Sequence, residues 1–204
     1  MTKPRAQSSP ISRRRGLAQL AGDRSGIFTA SDARALGVTS SSLAYHSRTG
    51  SIERLGHGVY RIADFPANRD ERLIATAAAL GKDAVVSHES ALKLYGVSDV
   101  APSRLHFTVP RARRYIAVPA EDVELHTTTR PFELEDMVQH EGFRATSLVR
   151  SILDSARTHT ASEQIVMAVR EGLRRGLLTR RELERATERA SLRVRRLIQD
   201  AQTA

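Results

Sequence analysis

The sequence contains no cysteine and no tryptophan, and aromatic residues make up only 4% of it. Without cysteine, disulfides, thiolate-ligated metals and thiol catalysis are excluded. With so few aromatics, the core has to be built from Leu, Ile, Val and Ala. No apolar run approaches the roughly 18 residues that a membrane helix needs. The opening MTKPRAQSSPISRRR lacks the apolar segment of a secretory signal. A cytoplasmic chain with no membrane partner is therefore expected. No glycine-rich phosphate loop of the P-loop or kinase type is present. The seven histidines are scattered and define no ligand spacing, so neither a metal nor a cofactor is expected.

What is present is positive charge, unevenly spread. The 204 residues are 40% hydrophobic and 27% charged, a globular composition, with a net charge of +9. Residues 1–64 carry 10 Lys and Arg against 4 Asp and Glu, a net +6. Residues 65–142 carry 9 against 12, a net −3, and residues 143–204 carry 13 against 7, a net +6. Basic ends around an acidic middle favour an acidic polymer as partner.

The most informative stretch is GIFTASDARALGVTSSSLAYHSRTGSIERLGHGVYRI, residues 26–62. Thr29 or Ser31 caps a short helix over Ala30–Leu36, and Gly37 supplies a tight turn. Thr39 caps a second helix that runs to about Thr49 and stops at Gly50. Two strand-like runs, Ser51–Leu55 and Val59–Ile62, follow around Gly56-His57-Gly58, as in a hairpin. The order is that of a winged helix-turn-helix. On the second helix Leu43 and Ser47 share one face with His46 beside them. Ser40, Ser41, Tyr45 and Arg48 share the other, a groove-reading mixture of short hydroxyls, an aromatic and a cation. The hairpin adds Arg54, His57 and Arg61, and the N-terminal tail adds Arg13, Arg14 and Arg15 as followers of phosphate. These are the candidate contacts to double-stranded DNA.

Residues 1–14 are polar and basic and are expected to be a disordered tail, with a helix from Arg15 to Asp23 completing a DNA-binding domain over residues 15–64. Asp64-Phe65-Pro66 is the expected boundary of a second domain, residues 65–204. In it, helices are expected over Pro66–Leu80 and His88–Tyr95. A short buried run is expected at Ala84–Ser87, and strands at Arg104–Val109, Val123–Thr127 and Phe143–Ala145. Helices Ser147–Arg157 and Ser162–Arg175, then one from Thr179 that breaks near Ser191, complete the chain. The fold class is α+β: a winged helix-turn-helix, then a mixed α/β domain with a small sheet and a helical C-terminal end.

No segment of the second domain carries a catalytic signature. Ser87-His88-Glu89-Ser90 is explained by Ser87 as a helix cap, and Glu133, Glu135 and Asp136 by a solvated acidic turn. Asp154 is expected to bond a neighbouring loop. Between the two strands, Arg111, Arg113, Arg114 and Tyr115 form a basic loop suited to a phosphate or an acidic protein surface, and they are the candidate partner-binding residues.

Taken in order, residues 26–62 and the later segments VVSHESALKLYGV, RLHFTVP, ATSLVRSILDSA and VREGLRRGLLTRREL resemble the AbiEi-type antitoxins. One departure is that His46 and Ser47 stand where family members tend to be apolar. The resemblance implies an antitoxin that is not an enzyme. It implies repression of its own operon through promoter DNA, neutralisation of a nucleotidyltransferase-like toxin, and a homodimer on the operator as one form of the complex. Two other readings stay open. One is a winged-helix regulator whose second domain senses a ligand or dimerises, with no toxin. The other is an enzyme, either a nuclease or one that covalently modifies the toxin.

Overall fold

The computed structural model describes residues 10–203, with side chains from Gly16 onward. The chain divides into two compact units. The first reaches Lys82 and includes Glu141–Phe143; the second comprises Asp83–His140 and Arg144 onward. The architecture is mixed α+β, with a three-stranded and a five-stranded sheet.

The first unit opens with helix α1, Pro10–Gly22. Residues 10–14, expected in the tail, thus belong to a helix, while residues 1–9 lie outside the described residues. Strand β1, Ile27–Thr29, follows and was not anticipated; three residues are too few to show a period. Helix α2, Ala30–Ala35, begins at once because Thr29 caps it: the Thr29 hydroxyl accepts from the Asp32 amide at 3.1 Å, and Asp32 accepts from the Thr29 amide at 2.8 Å. Gly37, at φ 76°, turns the chain into α3, Ser40–Arg48, whose first turn is capped by Thr39. Strands β2, Ile52–Gly56, and β3, Val59–Ile62, form the hairpin across a two-residue turn, His57-Gly58. β3 is the centre of the sheet, with β1 on its other side. Phe28 of β1 is fully buried among Ala21, Ala33, Leu43 and Ile52, and stacks on Tyr60 at 5.7 Å.

Helix α4, Glu71–Leu80, starts five residues later than the expected Pro66. It packs on β1 and β3, so Asp64–Pro66 falls inside the first unit. In the second unit, β4, Val85–Val86, leads into α5, His88–Tyr95. Strands β5, Leu105–Pro110, and β6, Val123–Thr128, are parallel neighbours in register. Strand β7, Met137–His140, was also not anticipated, and β8, Phe143–Thr146, follows it. The sheet order is β6-β5-β4-β8-β7. Helices α6, Leu148–Arg157, α7, Ser162–Arg174, α8, Arg180–Thr187, and α9, Leu192–Thr203, close the chain. Thr179 and Glu182 form the expected capping box. Their shared core, from Leu92 and Ile152 to Leu183 and Ile198, is aliphatic throughout its buried set.

Gly26 has φ 81°, and a β-carbon there would meet the Phe65 ring at 2.5 Å; Gly50 has φ 76° but open space around it. Replacing either with alanine incurs backbone strain of about 1–3 kcal/mol. Gly26→Ala must also displace Phe65, so its loss of stability in urea denaturation should exceed that of Gly50→Ala. Equal losses would show that the Phe65 contact yields freely.

Candidate nucleic-acid interface

The expected outward face of α3 is outward. Ser40, Ser41, Tyr45 and Arg48 are exposed, with Tyr45 57% exposed, while Leu43 is in the core. The Ser41 hydroxyl shares a hydrogen bond with that of Thr39 at 2.9 Å. His46, on the inner side, is half-buried; its Nδ1 meets the Ser51 hydroxyl at 3.1 Å, and the Ser51 amide donates to the His46 carbonyl at 3.1 Å. A polar residue at this inner position therefore ties the end of α3 to the start of β2 and orients the hairpin against the helix.

In the hairpin, Arg54 and His57 are exposed. The turn is anchored to α2, because the Ala30 amide donates to the Gly58 carbonyl at 2.8 Å. Arg54 Nε donates to the Gly56 carbonyl at 3.3 Å and stiffens the arm. Arg48 and Arg54 make no ion pair among the described residues. A guanidinium without a carboxylate is free to take a phosphate or a base edge.

Arg61 is a correction. Its side chain is only 15% exposed, and it pairs with Glu53 at 2.6 Å and with Glu71. The hydrogen bond to Glu53, followed by the charge of Glu71, raises its pKa. Arg61 is a clamp between β2, β3 and α4, not a free cation for DNA. Arg13, Arg14 and Arg15 lie on α1, but their side chains are outside the described residues.

In the second unit the basic loop is divided. Arg113 is half-buried and pairs with Asp83 at 3.2 Å. Arg111 and Arg114 are exposed, Tyr115 is 83% exposed, and the Arg114 guanidinium sits over the Tyr115 ring at 4.2 Å. Three further expectations are revised. Asp154 bonds within its own helix, to Arg150 at 2.6 Å and Arg157 at 3.0 Å, rather than to a loop. Asp136 is largely buried, within 3.6 Å of Arg150, and is not a solvated residue. Ser87 stands at the cap position of α5 without capping it: its hydroxyl accepts from Thr108 at 2.8 Å and meets His88 Nδ1 at 2.9 Å.

The scattered histidines do not stay scattered. His88, at φ 50° and buried, stacks on His126 at 3.7 Å, and His106 Nδ1 lies 2.9 Å from His126 Nε2. Glu124 is 3.7 Å from His126. Burial first, then the neighbouring imidazoles, pushes the His88 pKa down to about 2, and burial and His106 lower that of His126. No local spacing could have revealed this group, because the register of β5 and β6 and the start of α5 assemble it.

Residues 16–63 match a family model described as "Transcriptional regulator, AbiEi antitoxin". The crystal structure of the RV2827C protein from Mycobacterium tuberculosis has the same fold, with a TM-score of 0.59 and 16% sequence identity, over 95% of this chain and 78% of that one. No curated protein matches the chain. Among the described residues, no helix is long and apolar enough to cross a membrane.

The division of labour between the arginines is measurable. Arg61→Ala should destabilise the protein by about 1–2 kcal/mol through the lost charged hydrogen bonds. Arg48→Ala should stay within about 0.5 kcal/mol of the parent in the same denaturation experiment. The reverse ranking would mean that Arg48, not Arg61, is the structural cation.

Proposed function

We propose that the first unit, whose residues 16–63 match the model of AbiEi antitoxin transcriptional regulators, is a winged helix-turn-helix that binds operator DNA and that the whole chain is the antitoxin of a toxin–antitoxin pair. Helix α3 is the recognition helix and the β2–β3 hairpin is the wing. The observation that carries this reading is the exposed set Ser40, Ser41, Tyr45 and Arg48 on a helix whose opposite side is fixed by Leu43 and by the His46–Ser51 bonds. Such a helix presents hydrogen-bonding groups to base edges from a rigid base. Arg54 and His57 on the wing reach the flanking backbone. Repression of its own operon follows if the site overlaps the promoter, and a homodimer would read a two-fold site.

The second unit is the surface that counters a nucleotidyltransferase-like toxin in the cytoplasm, with the Arg111–Tyr115 loop as its contact. The reading assigns no catalytic step to this chain. Loss of one interaction on each surface should then separate the two activities. Arg48→Ala should weaken the operator by about 1–3 kcal/mol if it reads a base, leave stability unchanged, and still protect cells that express the toxin. Tyr115→Ala should do the opposite. Both variants losing protection together would contradict the separation.

Binding should also fall steeply with salt, each neutralised phosphate adding about −0.9 to the slope of log K against log salt. Fluorescence anisotropy on a labelled duplex between low and moderate salt gives that slope. A slope near zero would remove the DNA-binding reading.

A further inference from the structure

We propose that His106, Glu124 and His126 form a binding site on the second unit for one divalent transition-metal ion of the zinc class. The site follows from register. In the parallel pair β5–β6, His106 lies opposite Glu124 and Thr108 opposite His126. Side chains alternate along a strand, so residues two apart share a face. His106, Glu124 and His126 therefore project from one face of two adjacent strands.

The donor atoms are already close. His106 Nδ1 and His126 Nε2 are 2.9 Å apart, and Glu124 Oε1 is 3.7 Å from His126 Nε2. All three donors lie within 4.8 Å of one another. A zinc ion about 2.0–2.2 Å from each donor holds neighbouring donors about 3–3.5 Å apart. The two separations that His126 makes are thus within a few tenths of an ångström of that spacing. A hydrogen bond between His106 and His126 would account for their contact alone; it leaves unexplained why a carboxylate completes the triangle.

The surrounding residues hold the rings in place. The His88 ring lies on that of His126 at 3.7 Å and 19°. His88 is itself tied through the Ser87 hydroxyl to Thr108, and the His106 amide donates to the Ser90 hydroxyl at 2.9 Å. His88 offers no donor to the group formed by the other three and is a positioning residue, not a ligand. Metal on His106 Nδ1 and His126 Nε2 leaves each neutral ring its proton on the other nitrogen.

Two imidazoles and one carboxylate suit zinc, cobalt or nickel better than calcium or magnesium, which prefer all-oxygen shells. The Glu124 side chain is 45% exposed and that of His126 17%, so an ion can enter from solvent and its remaining positions stay open to water. The site is independent of the DNA-binding reading, since none of its residues belongs to the first unit.

The test uses the full chain, stripped with EDTA and dialysed. Zinc chloride is titrated by calorimetry and cobalt chloride by visible absorption. One ion per chain is expected for each metal, with a cobalt ligand-field band. His126→Ala should weaken zinc at least tenfold. Glu124→Gln, on a half-exposed side chain that no core packing needs, should weaken it about tenfold with an unchanged circular dichroism spectrum. His159→Ala, at an exposed histidine elsewhere in the unit, should change neither affinity nor stoichiometry. No zinc or cobalt binding by the parent, binding indifferent to Glu124→Gln and His126→Ala, or binding lost with His159→Ala would each overturn the proposal.

Discussion

Ile27-Phe28-Thr29 is the constraint on which the first unit depends. These three residues pair with β3 in antiparallel register, Ile27 opposite Arg61 and Thr29 opposite Val59. Phe28 places its ring at the centre of the helical core, and full burial of such a side chain contributes about 1.5–3 kcal/mol. Thr29 then caps α2, and the next amide holds the hairpin turn. One short segment thereby sets the helices and the hairpin relative to each other. The exposed side chains of α3 and the hairpin have a fixed mutual geometry only because this strand exists.

Charge behaves differently in the two basic ends of the chain. In the C-terminal helices much of the arginine is consumed internally. Arg175 donates to the Tyr95 carbonyl at 2.9 Å, Arg193 to that of Ala156 at 2.7 Å, and Arg195 to that of Glu188 at 2.7 Å. These carbonyls lie at helix C-termini, where acceptors lack partners and the dipole favours cations. Others pair along one helix, as Arg174 does with Glu171 at 2.6 Å. In the first unit, Arg48 and Arg54 are exposed and make no ion pair among the described residues, Arg54 bonding only the nearby Gly56 carbonyl. Equal net charge in two regions therefore does not mean equal availability to a polyanion.

Local chemistry made much of this legible in advance. Thr29, Gly37, Thr39 and Gly50 mark helices α2 and α3 within a residue or two, because caps and turns depend on side chains next to them. The outward set Ser40, Ser41, Tyr45 and Arg48 followed from helical periodicity. Strand β1, with three residues, shows no period, and β7 follows the acidic Glu133–Asp136 turn directly and was missed with it. Arg61 was misassigned because Glu71, which takes its charge together with Glu53, belongs to a later helix. The histidine cluster stayed hidden for the same physical reason: residues 106 and 126 meet through the register of β5 and β6 and residue 88 joins them from the start of α5, an arrangement to which local spacing is blind.

Engagement of duplex DNA by α3 and the hairpin of the first unit is read by following backbone amide resonances during titration with operator-containing duplex. The largest shifts are expected in Ser40–Arg48 and in Arg54–His57, with the core amides of Phe28 and Leu43 little changed. Shifts confined to the second unit, or absent throughout, would contradict it.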